Sequence, residues 1–273
     1  MKLSKYFFFF FILSSLTVFS QDKDERKELN KEEEAAELAK ATQNPLAAMY
    51  SLPFQNNTTF NNEPYGRNQN VLNIQPVIPV GISKNINLIN RIILPVITQP
   101  SSYEDKSSTG TGDTSYSAWL SPKESGKIIY GIGPVFQIPT SSGREYGSGE
   151  FGIGPSLVVL TTIDKWVAGI VTNNVWTFGE VEENKFLFQY FVNYNLPKAV
   201  YIVSAPILTA NWNAESSQRW IVPFGGGVGK VFRIGKHPIN VNAQVYNNVV
   251  KPDGWGDWQM RLQLQLLFPK GKK

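Results

Sequence analysis

Cysteine is absent from this 273-residue sequence, and histidine occurs once, as His237. The absence of cysteine excludes a disulfide framework and any thiolate metal site. A zinc site or a Ser–His–Asp triad would have to be built around His237, whose predicted turn supplies no partners. The sequence also lacks the basic stripe typical of nucleic-acid binding. We therefore expect a protein that is not an enzyme, with no catalytic residues, no metal, no cofactor and no nucleic-acid partner.

Long apolar runs are absent beyond the N-terminus, where residues 1–20 read MKLSKYFFFFFILSSLTVFS. Lys2 and Lys5 precede an apolar stretch that is shorter than the ~20 residues of a membrane-spanning helix. This pattern predicts a secretory signal peptide that is cut between Ser20 and Gln21. The alternative, a transmembrane anchor, is disfavoured because the following segment is fully polar.

Residues 21–43 form a charged leader. Positions 21–40 hold eight of the chain's 22 acidic residues and five of its basic ones. The many Glu, Lys and Ala residues favour helix, but apolar residues are too few for a packed face. We expect a solvated helical or disordered segment on the periplasmic side; a periplasmic arm or a short plug is the alternative.

From residue 44 to residue 273 the pattern has period two. The clearest segment ends the chain, where Trp258 and every second residue to Phe268 are apolar. The residues that alternate with them from Gln259 to Gln265 are polar. A helix would scatter these side chains around its circumference, so the pattern indicates a strand with one apolar and one polar face.

Twelve such strands are predicted, and their connections alternate between short and long. Outer-membrane barrels have short periplasmic turns and longer external loops. The fold class is therefore all-β, a transmembrane antiparallel up-and-down β-barrel over 44–273 with both termini in the periplasm. The predicted strands lie near residues 55–62, 70–80, 86–98, 113–121, 127–138, 150–161, 165–178, 185–195, 199–211, 219–233, 238–249 and 257–268.

Charge sorts with loop length. Of the fourteen acidic residues after the leader, all except Glu124 and Asp164 lie in or beside the long loops. The short turns and their flanks are mainly basic. An acidic external rim suggests contact with divalent cations at a lipopolysaccharide surface, although ordinary solvated loops explain it equally well.

A soluble barrel or sandwich is the main structural rival, because it would show the same alternation with the apolar face inward. The signal peptide, the even strand number and the amide-rich polar face favour the membrane barrel. Its polar face would line a lumen that holds water and few charges. The predicted lumen-lining, solute-contacting residues are Arg91, Gln189, Asn193, Asn240, Asn242, Gln244, Gln259, Arg261, Gln263 and Gln265.

The tetrapeptide Gly-Ile-Gly-Pro occurs at 131–134 and again at 152–155, on neighbouring predicted strands. Neither copy lies between a strand and a helix, so a phosphate-binding loop is disfavoured. Glycine permits close approach and curvature at barrel corners. Alternatively, these small residues leave space in the lumen for a solute.

Several stretches together resemble one family, the outer-membrane barrels called "MetA-pathway of phenol degradation" proteins, often labelled transporter or neuromedin U. The resemblance covers the chain from Asn44 to its C-terminus and implies a barrel that takes up aromatic or hydrophobic compounds. It supplies no established catalytic or binding residues. The stretches are Asn44–Asn57, Pro64–Val80, the two Gly-Ile-Gly-Pro strands, Asn174–Gly179, Phe191–Pro197, Trp220–Phe232 and Leu264–Lys270.

Two functions remain open. The first is a passive channel or transporter for small solutes, including hydrophobic or aromatic ones, in the outer membrane of a Gram-negative bacterium. The second is a non-transporting structural or partner-binding surface barrel. In either case the expected partners are outer-membrane lipid, lipopolysaccharide and the barrel-assembly machinery during biogenesis, together with the solute if the barrel transports.

Overall fold

The computed structural model describes residues 33–124, 126–235 and 237–268. The signal peptide, its cut and leader residues 21–32 lie outside this range. Residues 33–42 are helical, and in the part of the chain described no helix is long and apolar enough to cross a membrane. Two short 3₁₀ turns occupy Pro197–Ala199 and Ser216–Gln218.

Fifteen strand segments follow the helix. They are β1 (Tyr50–Asn62), β2 (Arg67–Ile74), β3 (Val77–Gly81), β4 (Ile86–Pro100), β5 (Ser107–Thr111), β6 (Thr114–Pro122), β7 (Ile128–Ile138), β8 (Phe151–Ile163), β9 (Trp166–Phe178), β10 (Asn184–Asn195), β11 (Val200–Ser204), β12 (Ile207–Asn211), β13 (Trp220–Ile234), β14 (His237–Val250) and β15 (Trp258–Phe268). All pairings are antiparallel, and β15 closes the barrel on β1 from Tyr50↔Phe268 to Phe60↔Trp258.

The fifteen segments make twelve barrel strands, which confirms the predicted fold class. β2 and β3 are two parts of one strand, as are β11 and β12. Each break contains a proline, Pro76 or Pro206, which cannot donate to the ladder. β5 is an extra strand that pairs with β4 inside the predicted loop 99–112.

The connections keep the predicted alternation with one exception. Short turns span two to five residues, whereas the longest loops cover 101–106 with 112–113, and 139–150. The exception is the first predicted long loop, Glu63–Gln69, because β2 begins at Arg67 and leaves only four residues. His237, predicted in a turn, is the first residue of β14. We call the two ends of the barrel the short-turn end and the long-loop end.

The side-chain faces exclude the soluble rival. Leu262 and Leu264 of β15 are 45% and 42% exposed, while Arg261 and Gln265 are 4% and 7% exposed. The apolar face therefore points outward and the polar face inward, as in membrane barrels. Aromatic side chains cluster on the outer surface near both ends of the barrel. At the short-turn end, Trp166 contacts Tyr194. The matching cluster at the long-loop end comprises Phe186, Trp212 and Trp220.

In β1 the alternation of apolar and polar residues is interrupted, because two residues on its outward face are polar. Asn56 and Thr58 alternate with the buried Gln55 and Thr59, so they lie on the outward face. The amide of Asn70 on β2 donates to Asn56 Oδ1 at 2.9 Å and to the Thr58 hydroxyl at 2.9 Å. This small network satisfies polar groups that would otherwise be costly on an apolar face.

Candidate functional site

The N-terminal segment, residues 33–49, packs inside the barrel at the short-turn end. Ala39 is fully buried and Leu46 is 5% exposed, and both belong to a core cluster with Leu160 and Val167 from the barrel wall. Ala35 and Leu38 pack against the same cluster. The expectation of a solvated helix with too few apolar residues for a packed face is therefore wrong for the described part of the leader, which has the geometry of a short plug.

Glycines inside the barrel make room for this packing. A Cβ added to Gly131 would lie 2.8 Å from Leu46 Cδ2 and 3.2 Å from the Cβ of Trp119. At Gly169 the corresponding space is filled by the Phe191 ring. Both positions receive atoms of the protein itself, so the suggestion that the Gly-Ile-Gly-Pro glycines leave space for a solute is wrong at Gly131.

A cavity of about 170 Å³ remains between the N-terminal segment and the barrel wall, enough for on the order of ten water molecules. Nine of the ten residues predicted to line a lumen do line this cavity; contact of any of them with a solute stays a prediction. The exception is Gln259, which lies nearer the long-loop end and donates to Asn248 Oδ1 at 2.7 Å. The nine are Arg91, Gln189, Asn193, Asn240, Asn242, Gln244, Arg261, Gln263 and Gln265.

Arg261 crosses the lumen to the strand break at Ala205. Its Nη1 donates to the Ala205 carbonyl at 2.6 Å and its Nε donates to Asn57 Oδ1 at 2.8 Å. Gln189 Nε2 donates to the same carbonyl at 3.2 Å, and the guanidinium lies 5.3 Å from the centre of the Tyr246 ring. The proline that breaks the strand thus frees a backbone acceptor, and lumen side chains satisfy it.

Arg91 has a different environment. Its guanidinium lies 5.1 Å from the centre of the Trp119 ring, a cation–π arrangement. Its Nε is buried and has no hydrogen-bond partner within the described residues. Trp119 is itself fully buried and donates its indole N–H to Ser156 Oγ at 2.9 Å. Arg91 is therefore held by stacking alone.

The remaining wall of the cavity is an amide and phenol network. Tyr201 donates to Asn240 Oδ1 at 2.7 Å, and Asn240 Nδ2 donates to Gln265 Oε1 at 3.1 Å. Gln244 Nε2 donates to Asn242 Oδ1 at 2.8 Å. These mutual bonds hold the amides in defined orientations, so the cavity presents a fixed pattern of donors and acceptors.

The opposite inner wall is apolar, which the sequence analysis missed. Val158, Leu160, Val167 and Val171 of β8 and β9 are all at most 2% exposed. Towards the short-turn end, over 157–160 and 166–171, both strands are apolar on both faces, so their hydrophobic runs hide the alternation that marks a polar lumen. A continuous apolar run within a predicted barrel strand was the available signal, because it indicates an inner face that packs against protein.

A second cavity, of about 410 Å³, lies among the loops at the long-loop end. It is lined by Ile97 of β4 and Lys185 of β10, and by Tyr146 and Glu183 from the loops. We call it the vestibule. Further along the same two strands, Arg91 and Gln189 line the inner cavity.

Many acidic residues of the long-loop end have partners of their own. Asp105 pairs with Arg67 at 2.6 Å and Glu180 pairs with Arg144 at 3.2 Å. Asp113 accepts backbone N–H bonds from Ser141 at 3.1 Å and from other loop residues. Across residues 33–268, masked positions aside, no group of three or more His, Cys, Asp or Glu is placed to hold a metal ion.

Comparison with known proteins shows the fold alone. No family model matches the sequence, and no curated protein matches it significantly, so the family resemblance stays a prediction. The COG4313 outer membrane channel from Pseudomonas putida F1 superposes with a TM-score of 0.59 at 16% identity, covering 81% of this chain and 94% of that one. Outer membrane phospholipase A from Escherichia coli superposes with a TM-score of 0.42 at 13% identity, covering 82% and 99%. The chain thus has the fold of an outer-membrane barrel.

Proposed function

We propose that this chain is a passive outer-membrane channel for small solutes, including hydrophobic or aromatic ones. The outward apolar face, the aromatic clusters near both ends and the likeness to an outer membrane channel support the membrane location. The resemblance to the phenol-degradation barrels supports the solute class. In this orientation the short-turn end faces the periplasm and the long-loop end faces outward.

One observation carries the proposal. The vestibule and the inner cavity lie along the same inner walls of β4 and β10. On β10, Lys185 lines the vestibule and Gln189 lines the inner cavity, so only about 13 Å of strand separates them. Leu187 is the inward-facing residue between the two. We infer that the route of a solute follows this wall from the vestibule past Leu187 to the inner cavity.

The N-terminal segment covers the periplasmic end of this route. Residues from Ala41 to Met49 line the inner cavity on that side. Passage of a solute into the periplasm therefore requires the segment to shift. The proposed function is non-catalytic, and His237, the single histidine, is exposed at the start of β14.

Liposome swelling tests the proposal. Purified protein in liposomes should admit small neutral solutes such as benzyl alcohol or glycerol faster than protein-free liposomes do. A variant with Leu187→Trp should slow entry, because the indole would fill the space between the two cavities. Leu262→Trp, on the outward face of β15, is the matched control. Equal rates for protein-containing and protein-free liposomes would contradict a channel.

A filled, non-transporting barrel is the second candidate, and the packed core favours it. Trp119, Phe191, Tyr201 and Leu46 fill much of the short-turn half of the lumen. In that case the external loops would carry the function by binding a partner. If the loops carry the function, deleting 101–106 should abolish the cellular phenotype and leave permeability in liposomes unchanged. If the protein is a channel, a deletion variant with unchanged permeability should keep the phenotype.

A further inference from the structure

The inner cavity has an unbalanced charge. Two of the described residues that line it are charged, Arg91 and Arg261, and both are cations. None of the ion pairs among the described residues includes either one. The wall around them is made of amides, phenol and apolar side chains. Two buried cations without a counter-charge are unfavourable in a low-dielectric interior.

Exposed arginines of the same chain are treated differently. Arg67 pairs with Asp105, Arg144 with Glu180, and Arg233 lies 3.7 Å from a Glu34 oxygen. These three exposed arginines therefore have carboxylate partners, whereas the two arginines of the cavity have none.

Both arginines line the cavity, and neither guanidinium group has all of its donors bonded to the described protein. None of the described hydrogen bonds comes from the Arg91 guanidinium, which lies over the Trp119 ring and whose Nε is buried without a partner. Arg261 uses Nε and Nη1 for Asn57 and Ala205, and its Nη2 has no described partner. A purely structural arginine would use its donors on the protein. The two guanidinium groups instead keep donors for something that enters the cavity.

We propose that the inner cavity binds a small organic carboxylate, held by Arg91 and Arg261. A guanidinium fork matches the geometry of a carboxylate and bonds to it in pairs. The apolar lining from Val171, Phe191 and Val203 fits an apolar body beside the charged group. The cavity volume of about 170 Å³ limits that body to about one ring. This proposal rests on the proposed function, because it names the solute class that the channel selects.

Isothermal titration of the detergent-purified full chain provides the test. Benzoate should bind, and benzamide, its neutral analogue of similar shape, should bind at least about tenfold more weakly. Arg91→Gln should weaken benzoate binding by a similar factor and leave benzamide unchanged. Arg67→Gln, in an exposed ion pair at the long-loop end, should leave both unchanged. Equal binding of benzoate and benzamide, no binding of benzoate, or unchanged binding in Arg91→Gln would each overturn the proposal.

Further controls distinguish a loss of benzoate binding from misfolding and from a loss of transport. None of the described hydrogen bonds comes from the Arg91 guanidinium, so Arg91→Gln should fold; heat-modifiable gel migration checks this directly. Arg261→Lys keeps the charge and should retain more benzoate binding than Arg261→Gln. If bilayers show conductance without arginine-dependent block by benzoate, the carboxylate proposal fails and the channel stands. If benzoate binds through Arg91 but nothing is conducted, the channel fails and the site stands.

Discussion

Gln43 and Asn195 exchange two side-chain hydrogen bonds. Gln43 Nε2 donates to Asn195 Oδ1 at 2.9 Å, and Asn195 Nδ2 donates to Gln43 Oε1 at 3.1 Å. Asn195 also donates to the Lys165 carbonyl at 3.0 Å. The pair joins the N-terminal segment to the end of β10, and Leu46 anchors the same segment in the core. Polar contacts at Gln43 and apolar packing at Leu46 thus both hold the plug.

Substituting Asn195→Leu should loosen the N-terminal segment without unfolding the barrel. The change leaves the Gln43 amide without its partner, which costs roughly 1–3 kcal/mol at a partly buried site. Limited proteolysis should then cut within 33–49 faster than in the unmodified protein. Asn213→Leu, in an exposed long loop, should not change the rate. Equal cutting in Asn195→Leu and the unmodified chain would show that the amide pair does not hold the segment.

Gly131→Val should displace Leu46, because even a Cβ at this position would lie 2.8 Å from Leu46 Cδ2. We expect a plug that is mobile and a barrel that still assembles. The measurement is hydrogen exchange across 33–49, which should accelerate. Gly126→Val is the matched control, since a Cβ there meets nothing within 4 Å. Unchanged exchange in Gly131→Val would contradict the packing account.

The second glycine of each Gly-Ile-Gly-Pro repeat should be intolerant of any side chain. A Cβ on Gly133 would overlap the Ala118 carbonyl of β6, and one on Gly154 would overlap the Asn174 carbonyl of β9. Gly133→Ala and Gly154→Ala should therefore both reduce the assembled fraction on heat-modifiable gels, to a similar degree. Assembly as efficient as in Gly126→Ala would mean that close strand approach is not what these glycines provide.

Trp119 and Ser156 should be energetically coupled. Ser156→Ala leaves the buried indole N–H without its acceptor, so we expect a loss of roughly 1–3 kcal/mol in the free energy of unfolding. Trp119→Phe removes the donor. In the double variant the total loss in the free energy of unfolding should be smaller than the sum of the two single losses by about 1 kcal/mol. Denaturant unfolding of all four proteins gives this coupling directly, and strict additivity would rule it out.

The strand pattern could be predicted because one face of most strands is apolar and the other polar. The assignment of Leu262 and Arg261 to opposite faces of β15 follows from that alternation, and the exposure of Leu262 shows that its face points outward. The strand breaks at Pro76 and Pro206 could not be predicted with the same ease, because proline also occurs within unbroken strands such as β7 and β8. β5 was missed because its Ser, Thr and Gly residues read as loop.

The amide residues that line the inner cavity could be predicted from the sequence. The apolar wall and the plug that bound the cavity could not. Arg91 and Arg261 were the two charges on the predicted polar face, and the structure places both at one cavity. The apolar wall and the packed plug depend on pairs distant in sequence, such as Leu46 with Gly131. Period-two analysis assigns each residue to a face, but it does not show which residues meet across the lumen.

The central claim is that the lumen is a passage closed at the periplasmic end by the N-terminal segment. Single-channel conductance in planar bilayers tests it most directly, comparing the mature chain with a variant that lacks residues 33–46. Heat-modifiable migration confirms that both proteins are assembled barrels. The account predicts small or intermittent conductance for the mature chain and a several-fold larger, steady conductance for the deletion. No conductance from either assembled protein would contradict it.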